Sequence, residues 1–409
     1  MRAVTRLLDE LDGAPDTVDL NDIARSDGFL FVQNRVGVAG RGVAARGDRT
    51  DIEAALHRID HDTTVPEVAP LAIGVLGFEP DDTGDMVVPA VSVRRLPDDR
   101  VVVTTIDDAE WRDALAAPTT SAITAGAFNV IPEPVDRYLA AVATARDAVR
   151  ADDLTKAVIA RPIRVESDAP IDVHSVLRRL RSAFGSSYRY SYDGLVGASP
   201  ELLIEVDRSG GSDGSAGPIA VVRSHPLAGT APRTGDPDRD ATIAAELIES
   251  TKNQIEHRVV IDVVHDTLLP YASYLDWEPD PSIVTVANVQ HLGTRMEGVL
   301  SDPAPSVLSL ARALAPTPAL GGHPRNAAIE LITANEGFTR GRYGGAVGWV
   351  DAAGNGTWAV TIRCAEFSPD RRSARLVAGG GIVADSEPHA ELAETQAKFQ
   401  AMLGVIIRP

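Results

Sequence analysis

Short apolar segments that follow one another across tight-turn dipeptides constrain this 409-residue chain more than any other feature. Residues 187–206 contain two strand patterns joined at Asp193-Gly194, and residues 344–367 contain two more joined through Asn355-Gly356. Such dipeptides between apolar segments indicate β-hairpins. Longer helical patterns separate the hairpins. We therefore predict an α+β fold with mainly antiparallel sheets rather than a doubly wound parallel sheet.

Two segments rich in turn-forming residues interrupt this pattern. Residues 110–134 are rich in Ala, Thr and Pro and are predicted to be a loop crossing, and residues 208–217 are predicted to be a flexible hairpin tip. No linker is long enough to mark a domain boundary. We therefore predict one large domain over residues 1–409, in which residues 1–134 carry no chemistry that the sequence reveals.

The composition excludes several classes of partner. The chain has 39 basic and 58 acidic residues and a formal net charge of −19, which argues against binding nucleic acid or an anionic membrane. It has no run of about 18 apolar residues to span a membrane, and its first residues lack the apolar segment of a secretory signal. Cys364 is the only cysteine, which excludes an intrachain disulfide. We expect a soluble cytoplasmic protein.

Lysine is rare among the basic residues. Only Lys156, Lys252 and Lys398 occur, so 36 of the 39 basic residues are Arg. A codon preference for Arg explains this scarcity, and the three lysines then have no special role. Alternatively, some of them do what Arg cannot, because a desolvated Lys can lose its proton and act as a base.

Two predicted helices carry carboxylates beside an apolar stripe. The first, over residues 240–268, has the stripe Leu247, Ile255, Val259 and Val263, with Glu249, Asn253 and Glu256 on a second face. The second, over residues 388–404, buries Leu392, Phe399, Met402 and Leu403, with Glu391, Glu394 and Lys398 on a neighbouring face. Solvated charged faces explain both patterns. Carboxylates without a Cys or a His pair would alternatively suit a hard cation such as Mg²⁺.

Glycine-rich segments form a second group of candidates. Residues 226–235 place Gly229 and Gly235 around an Arg, and residues 378–383 place three glycines between a strand and a helix. Both segments are interpreted either as tight turns or as anion-binding nests of backbone N–H groups. Neither matches the dinucleotide-binding or P-loop patterns, so NAD and ATP have no support.

Three charged residues on strand patterns remain open between structural and functional roles. Arg363 lies in the middle of an apolar strand predicted over 357–365, where it needs a structural salt bridge or a ligand carboxylate. Lys156 begins a strand pattern and Glu201 follows Ser-Pro. Lys156 and Glu201 are each interpreted either as a functional residue or as an ordinary charged residue on the protein surface.

Nine short segments, taken in order, resemble the chorismate-utilising enzymes and specifically their isochorismate synthase branch. They cover about residues 156–398, whereas the first third of the chain matches only through GVAGRGVAAR. The segments are LTKAVIAR, GASPELLIEV, PLAGTAPR, STKNQIEHRVVIDVV, VQHLGT, PTPALGGHP, RGRYGGAVGWVDAAGNGTWAVTIRCAEF, AGGGIVADSEP and ELAETQAK. The resemblance implies two packed, mainly antiparallel β-sheets with helices on the outside. It also implies that residues 135–409 form the chorismate-binding catalytic core.

The resemblance assigns catalytic roles to two residues. Lys156 corresponds to the general base that activates water for attack at C2 of chorismate, and Glu201 corresponds to the general acid that protonates the departing C4 hydroxyl. These roles require a neutral Lys156 amine and a protonated Glu201 carboxyl.

The resemblance also implies a cation and a substrate pocket. Glu256 and Glu394 correspond to Mg²⁺ ligands, with Glu391 nearby, and the cation would hold the ring carboxylate. Arg363, Tyr343, Gly379 and Lys398 match positions around the enolpyruvyl carboxylate. The remaining predicted contacts are Gly229 on the C4 side, His291 and Thr294 near the ring, and Leu320 and Ile362 in the pocket lining.

The choice of branch depends on two features. The PTPALGG segment has the isochorismate synthase form, and Lys156 disfavours anthranilate synthase, although it does not exclude aminodeoxychorismate synthase. Asn253 departs from the usual Asp of the family, and Thr234 is an insertion. Salicylate synthase, which adds pyruvate elimination, and a non-catalytic paralogue are the alternatives. We expect chorismate as the only partner, without an obligate glutaminase subunit, and a monomer.

Overall fold

The computed structural model describes residues 1–118, 126–210, 219–286 and 289–408. Residues 119–125 of the predicted loop crossing and residues 211–217 of the predicted hairpin tip lie outside these ranges. The described part of 110–134 contains a short helix, Trp111–Leu115, and a strand, Phe128–Pro132, so the prediction of a continuous loop is wrong there.

Ten α-helices lie within the described residues. In chain order they are α1 (Leu20–Ala24), α2 (Arg49–Leu56), α3 (Trp111–Leu115), α4 (Val135–Arg150), α5 (Val173–Ala183), α6 (Pro237–Glu249), α7 (Thr251–Leu268), α8 (Val307–Leu314), α9 (Arg325–Glu336) and α10 (Pro388–Ile406).

The same described ranges contain 25 β-strands. In chain order they are β1 (Arg2–Leu7), β2 (Phe29–Gln33), β3 (Val36–Arg41), β4 (Ala45–Gly47), β5 (Asp60–Thr63), β6 (Leu71–Leu76), β7 (Asp85–Val88), β8 (Val91–Arg95), β9 (Val101–Ile106), β10 (Phe128–Pro132), β11 (Lys156–Ser167), β12 (Tyr188–Tyr192), β13 (Leu195–Ser199), β14 (Leu202–Gly210), β15 (Ile219–His225), β16 (Leu227–Pro232), β17 (Ala272–Trp277), β18 (Ser282–Val286), β19 (Val289–Gly293), β20 (Met296–Leu300), β21 (Gly322–His323), β22 (Ala346–Asp351), β23 (Gly356–Val360), β24 (Cys364–Phe367) and β25 (Ser373–Ile382).

Two large sheets dominate the part of the chain that the structure describes. The first has 13 strands in the order β10-β11-β25-β24-β13-β12-β2-β3-β8-β9-β1-β5, with β21 paired to β11. The second has nine, β17-β20-β15-β14-β23-β22-β6-β7-β4, and β16-β19-β18 form a small third sheet. Pairing is mainly antiparallel, as for β11 with β25, whereas β1 and β5 are parallel. This confirms the predicted α+β class.

The largest hydrophobic cluster lies between the two large sheets. Phe31 and Tyr190 of the first sheet share it with Ile73, Val347 and Trp358 of the second. Helices α4 and α9 pack against the first sheet over a separate cluster that contains Val142 and Ile332. The packed sheets with helices outside agree with the predicted architecture. Strands from residues 1–134 lie in both large sheets.

The predicted helix over 240–268 is two helices. Ser250 ends α6 and its hydroxyl accepts a hydrogen bond from the Asn253 N–H, which caps the start of α7. Leu247 of α6 is buried as predicted, but the α7 part of the apolar stripe is wrong, because Ile255 is 56% exposed while His257, Val260 and Val264 are buried. The inward face of α7 is therefore rotated from the one predicted, and it includes His257 and the partly buried Glu256.

The strand predicted over 357–365 is interrupted where the chain passes between sheets. β23 belongs to the second sheet and β24 to the first, with Thr361, Ile362 and Arg363 between them. Arg363 adopts a left-handed conformation with φ of 50°. The predicted position of Arg363 in the middle of a strand is therefore wrong.

The glycines predicted as a nest or turn lie in a strand. Gly379, Gly380 and Gly381 belong to β25 and pair with Ala160, Ile159 and Val158 of β11. Gly229 likewise lies in β16, at an irregularity in its pairing with β19, and has a φ of 75°. The interpretation as a turn is therefore wrong for Gly229 and for the glycines of β25, whereas Gly235 lies beyond β16 with a φ of 86°, and its N–H donates to the Asp240 carboxylate.

Candidate active site

One cavity brings together twelve of the residues predicted from the sequence. Its lining includes Lys156, Glu201, Gly229, Glu256, His291, Leu320, Tyr343, Ile362, Arg363, Gly379, Glu394 and Lys398. Thr294 and Glu391 are not in this lining. The Thr294 hydroxyl instead contacts His257 Nε2 at 2.8 Å, and Glu391 lies next to Glu394 on α10.

Two antiparallel passages of the chain between the large sheets place a carboxyl group and a guanidinium group in this cavity. Glu201 lies between β13 of the first sheet and β14 of the second, and Arg363 lies between β23 and β24. Backbone hydrogen bonds join the passages, from the Val360 N–H to the Glu201 carbonyl (3.1 Å) and from the Ala198 N–H to the Arg363 carbonyl (3.1 Å). The break in each strand thus turns a charged side chain towards the cavity.

The environment of Glu201 favours the protonated carboxyl. Burial raises the pKa of Glu201 to about 8, while the Leu227 N–H and the charges of Lys156 and Arg363 oppose this rise. Desolvation disfavours the charged form of a carboxyl, and here it outweighs the two cations. Leu227 N lies 3.4 Å from Glu201 Oε1. The raised pKa favours a Glu201 carboxyl that keeps its proton near neutral pH.

Lys156 is almost fully buried at the first residue of β11 and forms an ion pair with Glu256 of α7. Lys156 Nζ lies 2.9 Å from Glu256 Oε1, although the geometry does not form a hydrogen bond. Burial alone would raise the pKa of Glu256, but Lys156, Lys398 and Lys252 together outweigh burial and the pKa is lowered. The Lys156 amine retains its hydrogen-bonding capacity towards the cavity.

The glycines of β25 leave the space in which these carboxylates meet. A Cβ atom on Gly381 would lie 2.2 Å from Glu256 Oε1 and 2.8 Å from Lys156 Cε. A Cβ atom on Gly380 would lie 2.8 Å from Glu391 Oε2 and 3.5 Å from Glu394 Oε1. Gly380 and Gly381 therefore give room to the acidic side chains of α7 and α10.

Arg363 is oriented by a neutral histidine. Its Nη2 lies 3.3 Å from His291 Nε2, and His291 Nδ1 lies 3.2 Å from the Gly229 carbonyl oxygen. Because the carbonyl can only accept, Nδ1 carries the proton and Nε2 accepts from Arg363. Burial and the charge of Arg363 hold the pKa of His291 well below its usual range. Arg363 lines the cavity, and among the described residues no carboxylate forms an ion pair with its guanidinium group.

The residues present suit a hard divalent cation in chemistry. Glu256, Glu394 and Glu391 offer carboxylate oxygens around the space above Gly380 and Gly381, and such oxygens are the ligands of Mg²⁺. Each carboxylate is paired with a lysine: Glu256 with Lys156, Glu394 with Lys398 at 2.5 Å, and Glu391 with Lys252 at 3.3 Å. Among the described residues, no three His, Cys, Asp or Glu side chains are already arranged as a metal cage.

Sequence reasoning assigned no role to two polar residues beside the cavity. His257 is buried next to Lys156 and Glu256, and burial lowers its pKa to about 4. The sequence pattern indicates its neighbour Glu256, but only the packing of α7 shows that His257 also points inwards. Lys252 was indicated by the scarcity of lysine alone, and all three lysines of the chain prove to lie at this site.

Comparison with known proteins defines the class. The sequence profile described as "Chorismate binding enzyme" matches residues 99–407, and the chain belongs to this family. Within the family its relatives include isochorismate synthases. The chain is 40% identical to a Mycobacterium tuberculosis protein provisionally assigned as isochorismate synthase MenF, over 88% of this chain and 92% of the relative. It is 42% identical to isochorismate synthase DhbC of Bacillus subtilis, over 67% and 68%.

Solved structures agree with this relationship. The structure of a DhbC from Bacillus anthracis, provisionally described as a 2,3-dihydroxybenzoate-specific isochorismate synthase, has a TM-score of 0.78 at 30% identity and covers 95% of this chain and 98% of its own. MenF of Escherichia coli, the menaquinone-specific isochorismate synthase, has a TM-score of 0.81 over 100% and 94%. At 21% sequence identity, this similarity supports a shared fold and not a shared activity. The predicted family and architecture are confirmed.

Proposed function

We propose that this protein is a Mg²⁺-dependent isochorismate synthase that interconverts chorismate and isochorismate. The observation that carries the proposal is that one cavity holds a buried Glu201, whose pKa burial raises, together with a buried Lys156 and with Arg363. The identity to isochorismate synthases over most of the chain supports the same reaction. The net reaction moves a hydroxyl from C4 to C2 and shifts the ring double bonds.

On the acid side, Glu201 donates its proton to the C4 hydroxyl, which leaves as water. The raised pKa of Glu201 supports this role because the carboxyl is still protonated near neutral pH. We assign Gly229, a cavity-lining residue with a left-handed backbone and no side chain, to the C4 side of the substrate.

On the base side, Lys156 takes a proton from the water that attacks C2. A base must be neutral, whereas the 2.9 Å contact with Glu256 favours the ammonium form. The base role therefore requires that Glu256 turn away from Lys156 when the substrate and the cation are bound. In the reverse reaction Lys156 and Glu201 exchange their roles as donor and acceptor.

The two carboxylates of chorismate must be held in a protein of net charge −19. We assign the enolpyruvyl carboxylate to Arg363 and Lys398, with Tyr343 and the backbone at Gly379 beside them. His291 lies near the ring and orients Arg363, and Thr294 acts from behind through His257. Leu320 and Ile362 form the apolar lining.

We assign Glu256 and Glu394 as Mg²⁺ ligands, with Glu391 behind them. The bound cation supplies positive charge to the ring carboxylate and orients it. We further propose a monomeric, cytoplasmic enzyme that needs no glutaminase subunit. Among the described residues, no helix has the length and apolar character needed to cross a membrane.

The test is incubation of the purified protein with chorismate, with and without Mg²⁺, followed by chromatography of the products. A Mg²⁺-dependent equilibrium mixture of chorismate and isochorismate is the expected result. Formation of salicylate and pyruvate would identify a salicylate synthase and point to the lining at Leu320 and Ile362. Without consumption of chorismate by folded protein, even after an ammonium salt is added, a non-catalytic paralogue would remain.

A further inference from the structure

The three lysines of the chain each neutralise one of the three carboxylates that we assign to the cation. Lys156 pairs with Glu256, Lys398 with Glu394 and Lys252 with Glu391. All other basic residues of the chain are Arg or His. The six side chains sum to zero charge when all are ionised. A divalent cation therefore enters a site whose ligands are already occupied by ammonium groups.

Lys252 differs from the other two lysines in its position. Lys156 and Lys398 line the cavity, whereas Lys252 lies behind it and its side chain is 37% exposed. Its partner Glu391 is only 4% exposed. Lys252 precedes Glu256 by one helical turn on α7, and Glu391 precedes Glu394 by one turn on α10. The Lys252–Glu391 pair therefore joins the two helices that carry the assigned ligands.

This position gives Lys252 a specific effect on cation binding. A carboxylate oxygen that holds an ammonium group is not free to ligate a cation, and a positive charge one helical turn from Glu256 repels a cation bound there. Because Lys252 is partly exposed, its ammonium group can move into solvent. The buried ammonium group of Lys156 cannot do so.

We propose that Lys252 is a positioning residue that competes with the divalent cation for Glu391 and keeps the affinity of the free enzyme for the cation low. This inference rests on the proposed function, because it requires the cation site. Its consequence is that the free enzyme holds the cation weakly, and that tighter binding follows when negative charge from the substrate enters the cavity.

The experiment measures Mn²⁺ binding to the full-length protein without chorismate, by titration calorimetry and by the loss of the free Mn²⁺ signal in electron paramagnetic resonance. Lys252→Met should bind Mn²⁺ about tenfold more tightly than wild type, because the competing ammonium group is gone. A tenfold change corresponds to about 1.4 kcal/mol of binding free energy. Lys252→Arg retains the charge and should stay within about twofold of wild type. Arg258→Met is the matched control. It removes a charge from the same helix, where Arg258 pairs with Asp262 away from the cavity, and should change little.

The outcomes separate this inference from the proposed function. If Glu256→Gln weakens Mn²⁺ binding but Lys252→Met does not tighten it, the role of Lys252 is overturned and the cation site stands. If Lys252→Met and Arg258→Met tighten binding equally, the effect is general charge and the role of Lys252 is likewise overturned. If wild type binds no Mn²⁺ with or without chorismate, the cation site and the inference both fall.

Discussion

Lys156 Nζ lies 2.9 Å from Glu256 Oε1, although Lys156 begins a strand of the first sheet and Glu256 lies on α7. The two side chains meet over Gly381, where a Cβ atom would occupy the position of the Glu256 carboxylate. The contact joins the assigned base to an assigned cation ligand. The charge state of the base and the occupancy of the cation site are thereby linked through one carboxylate.

Replacing Lys156 tests the assigned base. Lys156→Ala should lower turnover by at least about 10²-fold while the protein stays folded, because water is no longer deprotonated at C2. Lys156→Arg retains the positive charge for Glu256 but gives up its proton far less readily, so it should be inactive as well. The measurement is isochorismate formation together with circular dichroism and thermal unfolding. Wild-type-like turnover in either variant would remove Lys156 from the base role.

The glycine run of β25 provides a steric test. Gly381→Ala should abolish activity, because the new Cβ displaces the ends of the Glu256 and Lys156 side chains. These flexible ends can move, so the free energy of unfolding should fall by no more than about 1–3 kcal/mol. Gly404→Ala on α10, where a Cβ meets nothing within 4 Å, is the control and should keep full activity. An active Gly381→Ala enzyme would contradict the need for this close approach.

Replacing the assigned cation ligands should change the Mg²⁺ requirement. Glu256→Gln and Glu394→Gln should each raise the Mg²⁺ concentration for half-maximal activity by at least about tenfold, because a neutral amide is a poorer ligand for a hard cation. The measurement is initial rate against Mg²⁺ concentration. Glu249→Gln changes an exposed carboxylate at the end of α6 and should leave the curve unchanged. Unchanged dependence in both ligand variants would place the cation elsewhere.

The raised pKa of Glu201 predicts a pH dependence of stability. Its pKa rises from the usual 4.5 to about 8 on burial, so the folded state binds this proton more tightly than the unfolded state. The contribution of Glu201 to stability is therefore present at acid pH and is lost as the pH rises towards about 8. Glu201→Gln does not ionise, so its stability relative to wild type should increase over this range.

Urea unfolding at about pH 5 and at about pH 8 measures this difference, and each unit of pKa difference accounts for about 1.4 kcal/mol. Glu246→Gln, at an exposed position of α6, is the control and should show the same pH dependence as wild type. The kcat/KM of the wild type should also fall above about pH 8, because the free enzyme then loses its acid. A relative stability independent of pH would show that Glu201 is ionised in the folded protein.

Local patterns in the sequence predicted the hairpins and the family. The hairpin signals at Asp193-Gly194 and Asn355-Gly356 predicted antiparallel pairs, which β12–β13 and β22–β23 form. Turn dipeptides and alternating apolar residues act over a few neighbours, so they are visible in a linear chain. The ordered motifs likewise identified the chorismate-binding family and twelve of the residues that line the cavity.

The places where elements break and the charges that meet depend on tertiary packing. The sequence pattern predicts Arg363 within a strand, but the chain passes there from one sheet to the other, because both sheets must cover the same core. The helix over 240–268 divides at Ser250, and this rotates Glu256 and His257 inwards. The pairing of Lys252 with Glu391 joins residues 139 positions apart. Such a contact depends on how α7 and α10 pack against the sheets, which no local pattern in the sequence records.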